Sequence, residues 1–226
     1  MKRILIALAA VAIWGIPSMS QAAPARPGGY FSGFLGVNFP RDADVSSTDF
    51  VINEEFDDRV EFDPGIAAGG TAGYDYGLFR LEGEISYRHG EIGAITDTLN
   101  NERFRSVDGD VGTLAFMANA FFDLHNDTPI TPYVGGGIGF AVLNLNDTTG
   151  INSGGDRVIL YDEGDDTVFA YQVGAGVEIA LNPILSLDLG YRYFGTSEAT
   201  FDEGPVTSTR MKLESHNALM GFRVKF

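Results

Sequence analysis

The sequence predicts an all-β fold: an eight-stranded antiparallel up-and-down transmembrane β-barrel with short periplasmic turns and long extracellular loops. Three observations carry that expectation. The chain opens on an export signal, it then alternates apolar with small or polar residues in eight successive segments, and the links between those segments are alternately short and long.

The export signal has the three parts expected of one. Lys2 and Arg3 form a positive region, Ile4 to Trp14 is apolar and uncharged, and Pro17 breaks the run before Ser20-Gln21-Ala22 supplies small residues at a cleavage site. Cleavage is expected after Ala22, with Ala23 the alternative, which makes residues 1–22 a leader and 23–226 the barrel domain. The apolar stretch is too short for a membrane helix. No later apolar run reaches that length, so a chain that spans a membrane must do so as a closed barrel.

Composition narrows the function classes. With no cysteine, disulfides, thiolate metal sites and thiol nucleophiles are excluded. The precursor carries 15 Lys and Arg against 31 Asp and Glu, a net −16. Losing Lys2 and Arg3 with the leader takes the mature chain two charges further, to −18. Such a chain repels nucleic acid, and it repels anionic head groups except where divalent cations bridge.

The eight segments are Tyr30–Pro40, Ile66–Tyr76, Phe79–Arg88, Val111–Phe122, Ile130–Leu143, Val168–Leu181, Ile184–Phe194 and Arg210–Phe226. Each has the period of two that marks a strand. The short links are Gly77-Leu78, Asp123–Pro129 and Asn182-Pro183, all with turn residues. The long ones, Arg41–Gly65, Glu91–Asp110, Asn144–Thr167 and Gly195–Thr209, are polar and rich in Asp and Glu. Both termini then lie at the short-turn, periplasmic rim.

Which face meets lipid is decided by what each face holds. One face carries large apolar residues such as Leu35, Val37, Leu81, Ile85, Leu187, Leu189, Met220, Phe222 and Val224. Aromatics gather at both ends of it, with Phe31, Tyr74, Tyr76, Phe79, Phe122 and Phe226 at the lower rim. At the upper rim are Phe39, Tyr87, Phe169, Tyr171, Tyr191 and Tyr193. Two belts of this kind match the two interfaces of a bilayer. The opposite face is mostly small, as in Ser32, Gly36, Asn38, Ala115 and Asn119, which suits a narrow lumen better than a water-exposed sheet. That face also carries Arg80, Glu82, Glu84, Arg88, Gln172, Glu178, Asp188, Arg192, Arg223 and Lys225, expected to pair as a network inside the barrel. Glu82, Glu178, Asp188 and Arg223 fall at similar depth, with Arg223 expected to pair with Asp188 and Glu178 and with Arg80 and Lys225 close by.

Several stretches carry a recognisable resemblance. They are Glu82-Gly83-Glu84-Ile85-Ser86-Tyr87-Arg88, Met117-Ala118-Asn119-Ala120, Thr131-Pro132-Tyr133-Val134-Gly135-Gly136-Gly137-Ile138-Gly139, Leu189-Gly190-Tyr191-Arg192-Tyr193 and terminal Phe226. In these the whole mature chain resembles the small outer-membrane β-barrel superfamily. Its members include opacity proteins, the transmembrane domain of outer-membrane protein A and "porin family" surface antigens. The resemblance implies residence in the outer membrane, contact with its lipids and lipopolysaccharide, and recognition of Phe226 by the barrel-assembly machinery. It implies no single activity, since such proteins serve as adhesins, anchors, narrow pores and antigens, and it brings no peptidoglycan-binding domain.

No catalytic, cofactor or metal set is predicted. His89, His125 and His216 share neither spacing nor depth. Ser215 and His216 invite comparison with barrel lipid A deacylases, but neighbours on a strand point to opposite faces. Gly135–Gly139 lacks a nucleotide fingerprint, and Asp162-Glu163-Gly164-Asp165-Asp166 lacks EF-hand spacing and reads as a solvated loop. The expectation is a non-enzymatic surface protein whose acidic loops serve adhesion, shielding or envelope integrity and meet a host or surface ligand. The alternatives are a narrow channel or carrier, then a lipid-modifying enzyme.

Overall fold

The computed structural model describes residues 27–49, 54–97, 103–151, 154–161, 163–203 and 207–226. The leader with its cleavage site, and Ser153, lie outside the described residues.

Eight strands form the barrel: β1 (Gly28–Pro40), β4 (Gly65–Asp75), β5 (Phe79–Asp97), β7 (Asp110–Asp123), β8 (Ile130–Leu145), β11 (Gly164–Ala180), β12 (Leu185–Thr196) and β15 (Glu214–Lys225). All pair antiparallel in the ring β1-β4-β5-β7-β8-β11-β12-β15, and β15 pairs back onto β1 from Tyr30↔Lys225 to Pro40↔Ser215. The ring is closed, so no strand edge within the membrane lacks a hydrogen-bonding partner, the condition a bilayer imposes. Each predicted strand is present, but the last one, expected over Arg210–Phe226, enters the barrel only from Glu214, because Arg210 and Met211 pair into the structure above it.

The periplasmic turns are tight because their own side chains satisfy the backbone. Asp75 Oδ1 accepts from the Gly77 amide at 2.7 Å, and Asn182 Oδ1 accepts from the amides of Ile184 and Leu185 at 3.0 and 2.9 Å. Along the walls the alternation holds as read. Leu35, Ile66, Ile85, Ile138, Met220 and Phe222 are exposed on the outward face, whereas Arg80, Glu82, Glu84, Ser86 and Arg88 are buried inward. The belts form ring contacts, Tyr76 on Phe79 at 4.8 Å and Phe31 on Phe226 at 5.4 Å below, Tyr171 beside Tyr193 at 6.3 Å above.

The long links differ from a purely solvated reading. They contain seven further strands among the described residues: β2 (Ala43–Asp49), β3 (Glu54–Phe62), β6 (Arg103–Asp108), β9 (Thr148–Ile151), β10 (Arg157–Tyr161), β13 (Ala199–Glu203) and β14 (Thr207–Met211). They join into a collar above the barrel, with β13 on β14, β14 on β2, β2 on β3 and β3 on the upper part of β5. From β5 the pairing continues through β6 to β9 and β10. The acidic run at Asp162–Asp166 is likewise not a free loop from Gly164 onward, because β11 begins there and Asp166 Oδ2 accepts from the Thr200 amide at 2.8 Å. Asp162 is outside the described residues.

The collar has a core of its own. Val45, Val60, Ile92, Ile95, Val111, Leu143, Leu145, Val168, Phe201, Met211 and Leu213 are buried together, with Phe62, Phe104, Val107 and Leu160 packed against them. Among the described side chains, Arg41, Asp42, Asp44, Arg59, Asp63, Glu91 and Asp147 of the links are exposed, whereas the apolar residues just named are turned into this core.

Candidate functional site

Two features of the molecule are built rather than merely left over: the filling of the lumen and the collar above it. The lumen filling has two tiers.

The lower tier lies at the periplasmic end. Arg223 donates to Glu178 and, at 2.7 Å, to Asp188. Lys225 sits 3.0 Å from Glu178 and 3.2 Å from Asp75. Arg80 pairs with Asp123 at 2.5 Å and approaches Glu178 at 3.9 Å. The expected pairing of Arg223 with Asp188 and Glu178, flanked by Arg80 and Lys225, is what the structure contains. Burial forces it, since Arg80 and Arg223 are 1% and 3% exposed and a lone charge there would cost several kcal/mol.

The upper tier is centred on Glu84. It accepts from Arg192, from Asn119 at 2.9 Å and from Gln172 at 3.0 Å, and Arg88 stands 3.8 Å away. Glu82 belongs here rather than beside Arg223. Its ion-pair partner is Arg192 at 3.8 Å, and it accepts from Tyr30 at 2.6 Å. Equal depth alone did not decide its partner. Tyr30 lies between, hydroxyl on Glu82 and ring 4.8 Å from the Arg223 guanidinium, and so joins the tiers while keeping the two charges apart.

Aromatic rings occupy the space the charges leave. Arg80 lies against Phe121 and Tyr133 at 4.9 and 4.3 Å, the two rings meeting edge to face at 5.5 Å, Arg88 lies 3.9 Å over Phe194, and Arg192 lies 5.1 Å over Phe34. Tyr133 also donates to Asp188 at 2.6 Å, reaching it over two glycines. A Cβ on Gly176 or Gly190 would come within 2.4 or 2.8 Å of its hydroxyl, so those positions have to be bare. Tyr30, Phe34, Asp75, Asp123 and Tyr133 escape the sequence reading of the site. The strand parity that placed Arg80 inward also places Asp75, Asp123 and Tyr133 inward, but turn composition draws attention away from Asp123.

Above Arg88 a cavity of about 30 Å³ is lined by Asn38, Thr113, Phe194, Leu213 and Ser215, room for about one water. Next comes the apolar core of the collar. The lumen is therefore occupied by ion pairs and rings through its lower and middle parts, and by hydrocarbon at the top.

The residues considered for chemistry stay apart. Ser215 is buried in the lumen beside Asn217, while His216 is on the outward face with its Nδ1 2.6 Å from the Tyr191 hydroxyl. His89 is 3.6 Å from Asp110, and His125 is in a periplasmic turn. Among the described residues no group of three His, Cys, Asp or Glu is placed to hold a metal ion. In the collar, Asp42 accepts a hydrogen bond from Arg59 at 3.0 Å, and this bond raises the pKa of the guanidinium above its ordinary value.

Comparison with known proteins agrees with this architecture. Residues 6–226 match the family described as outer membrane protein beta-barrel domain. The chain is 26% identical over 237 residues to outer membrane protein PagN of Salmonella typhimurium, covering 93% of this chain and 95% of that one. It is 34% identical over 159 residues to an outer membrane protein of Gluconacetobacter diazotrophicus, covering 67% of this chain and 40% of the relative. Among solved structures, the outer membrane protein OprG from Pseudomonas aeruginosa superposes with a TM-score of 0.59 at 14% identity, over 91% of this chain and 99% of that one. A closed eight-stranded ring, a lipid-facing apolar band with two aromatic belts, and a family match over almost the entire length lead to one conclusion: the chain belongs to the outer-membrane protein β-barrel domain family, and its place is the outer membrane of a Gram-negative cell.

Proposed function

We propose that this protein is a non-enzymatic surface protein, a closed barrel that anchors a folded acidic collar outside the cell and presents it to a ligand. The observation that carries this reading is that the lumen is filled at two heights by unlike means. A solute entering from outside would first have to part the apolar residues around Leu143, Phe201 and Met211. It would then meet the Glu84–Arg192 and Glu178–Arg223 clusters, whose opening leaves buried charges without partners. A channel has no use for both barriers. A display scaffold does, because a filled barrel is rigid and the collar core fixes the surface that faces outward.

The collar's outer surface is dominated by carboxylates such as Asp44, Asp63, Glu91, Asp147, Glu163 and Asp165. Adhesion through this surface would select cationic partners, and shielding would exploit the same charge as a repulsive field.

Recording from planar bilayers tests the reading. The refolded wild-type protein is expected to give no steady conductance. Large, stable channels would show that the filling opens spontaneously and would favour the narrow-channel reading instead.

A further inference from the structure

The cavity above Arg88 differs from the rest of the lumen in offering more donors than acceptors. Arg88, 3% exposed, is part of its wall. Its Nη1 donates to Ser86 at 3.0 Å and its Nη2 stands 3.8 Å from Glu84, but its Nε meets no acceptor. Thr113 and Ser215, both buried, add hydroxyls to the same wall from β7 and β15. Ser215 Oγ already accepts from Asn217 Nδ2 at 3.1 Å, which leaves its own proton to be given elsewhere. The unpartnered acceptor that lines the cavity is Asn38 Oδ1, on β1. Phe62, Val111 and Leu213 add hydrocarbon from the collar side, and the Phe194 ring lies against Arg88.

Charge points the same way. Arg80, Arg192, Arg223 and Lys225 each hold a carboxylate at 3.0 Å or closer. Among the described residues Arg88 has only Glu84, at 3.8 Å and already bonded by Arg192. Glu84 lies four residues before Arg88 on β5, on the lumen side of it, while the cavity lies on the collar side. Glu214 also lines the cavity, but its carboxylate is taken twice, by Arg41 Nη1 at 2.6 Å and by Lys212 Nζ at 2.8 Å. It therefore brings a net positive cluster to this height rather than a negative one. A buried cation short of a counter-ion costs several kcal/mol, and the collar hydrocarbon offers it nothing.

We propose that this cavity is a binding site for one monatomic anion, chloride in the medium outside the cell, held by Arg88 Nε and the hydroxyls of Thr113 and Ser215. A water molecule has two protons to place and finds one free acceptor in the wall, whereas a halide only accepts. Volume sets the other limit. About 30 Å³ takes one small ion and excludes phosphate, sulfate and carboxylates. The donors come from β5, β7 and β15, so a bound anion ties three parts of the barrel mouth together directly under the collar core. It also gives Arg88 the counter-ion that Glu84 is too distant to supply. The site is independent of the surface role proposed above.

The test uses the mature full-length protein refolded in phosphatidylcholine vesicles, with sodium chloride exchanged stepwise for sodium gluconate at constant ionic strength. Gluconate is too large for the cavity. Hydrogen exchange is read at the upper ends of β5, β7 and β15. Chloride should slow exchange there saturably, by about tenfold once it stands at about ten times its Kd, the factor that linkage gives for a ligand bound only in the closed state. The double variant Thr113→Val/Ser215→Ala removes both hydroxyls and should lose the chloride dependence while keeping its heat-modifiable folded band. Should that variant fail to fold, crystals of the wild type grown in sodium bromide decide. Anomalous scattering should then place bromide within hydrogen-bonding reach of Arg88 Nε. Identical exchange in chloride and gluconate overturns the proposal, as does an undiminished chloride effect in the double variant. Density in the cavity without an anomalous signal would assign it to water and overturn the anion site likewise.

Discussion

Arg223 shows how one side chain can be tied to many. It bonds Glu178 and Asp188, its guanidinium lies over Tyr30, and Glu178 in turn takes Lys225 and approaches Arg80. Arg223→Ala leaves Glu178 and Asp188 in the lumen with one cation fewer. It should destabilise the barrel by about 3 kcal/mol, the scale for breaking a buried pair. Urea unfolding in vesicles measures this, and an unchanged midpoint would mean that water already solvates the tier. The lumen position of Arg223 was legible in the sequence because every second residue of the last segment is apolar and outward. So was its partnership with Asp188, on the adjacent strand, and with Glu178, at equal depth one strand further on. The partner of Glu82 was not legible, because Tyr30 comes from a distant part of the chain and only the closed ring brings its hydroxyl there.

At the scale of elements, the terminal strand and the collar hairpins make separate predictions. Phe226 is 76% exposed and stacks on Phe31 at 5.4 Å. It contributes little buried area to the finished barrel, so its proposed role is in assembly, as the residue the barrel-assembly machinery reads. Deleting Phe226 should leave processing of the precursor intact and lower the folded, heat-modifiable fraction in outer membranes. A normal folded yield would remove that role. In the collar, Phe201 is 1% exposed at the centre of the apolar core. Phe201→Ala should destabilise the collar by about 3 kcal/mol. The barrel itself should be spared, because its strands are held by the closed hydrogen-bonded ring and by the ion pairs lower in the lumen, which Phe201 does not touch. Hydrogen exchange should rise in the hairpins β2–β3 and β13–β14 and stay low in β1 and β15. Uniform loosening would show a single cooperative unit. An epitope tag placed after Ser153, outside the described residues and between β9 and β10, should be reached by antibody on intact cells. Access only after permeabilisation would invert the topology.

For the molecule as a whole, closure of the ring and closure of the lumen are different properties. The ring closes because β1 and β15 pair along eleven residues, and that pairing says nothing about conduction. The lumen closes because a narrow barrel is filled by its own side chains and because the collar places hydrocarbon over the mouth. Two barriers in series imply non-additive behaviour. Arg192→Ala with Arg223→Ala, which breaks both ionic tiers, should without any change to the collar leave the protein silent in planar bilayers. Replacing residues 199–209 by a short Gly-Ser linker should also leave it silent. The combination should give a steady leak. A leak from either alteration by itself would show that the corresponding barrier acts alone.

The sequence by itself determined the eight membrane strands, their order, the face of each that meets lipid and the polar character of the interior. The reason is local: the pleat sends neighbouring side chains to opposite sides, and lipid admits only apolar ones on its own side. It also contained the collar, although in a form that acidic composition obscures. Ala43-Asp44-Val45, Val60-Glu61-Phe62, Ala199-Thr200-Phe201 and Met211-Lys212-Leu213 each repeat apolar residues two apart. Each is too short to bury anything without the others. Only the tertiary structure decided that these fragments share one core and that Glu82 answers to Arg192. It alone decided that Arg41 and Lys212, 171 positions apart, meet on one carboxylate. Such pairings depend on which strands become neighbours when the barrel closes, and alternation within a single segment carries no information about its neighbour.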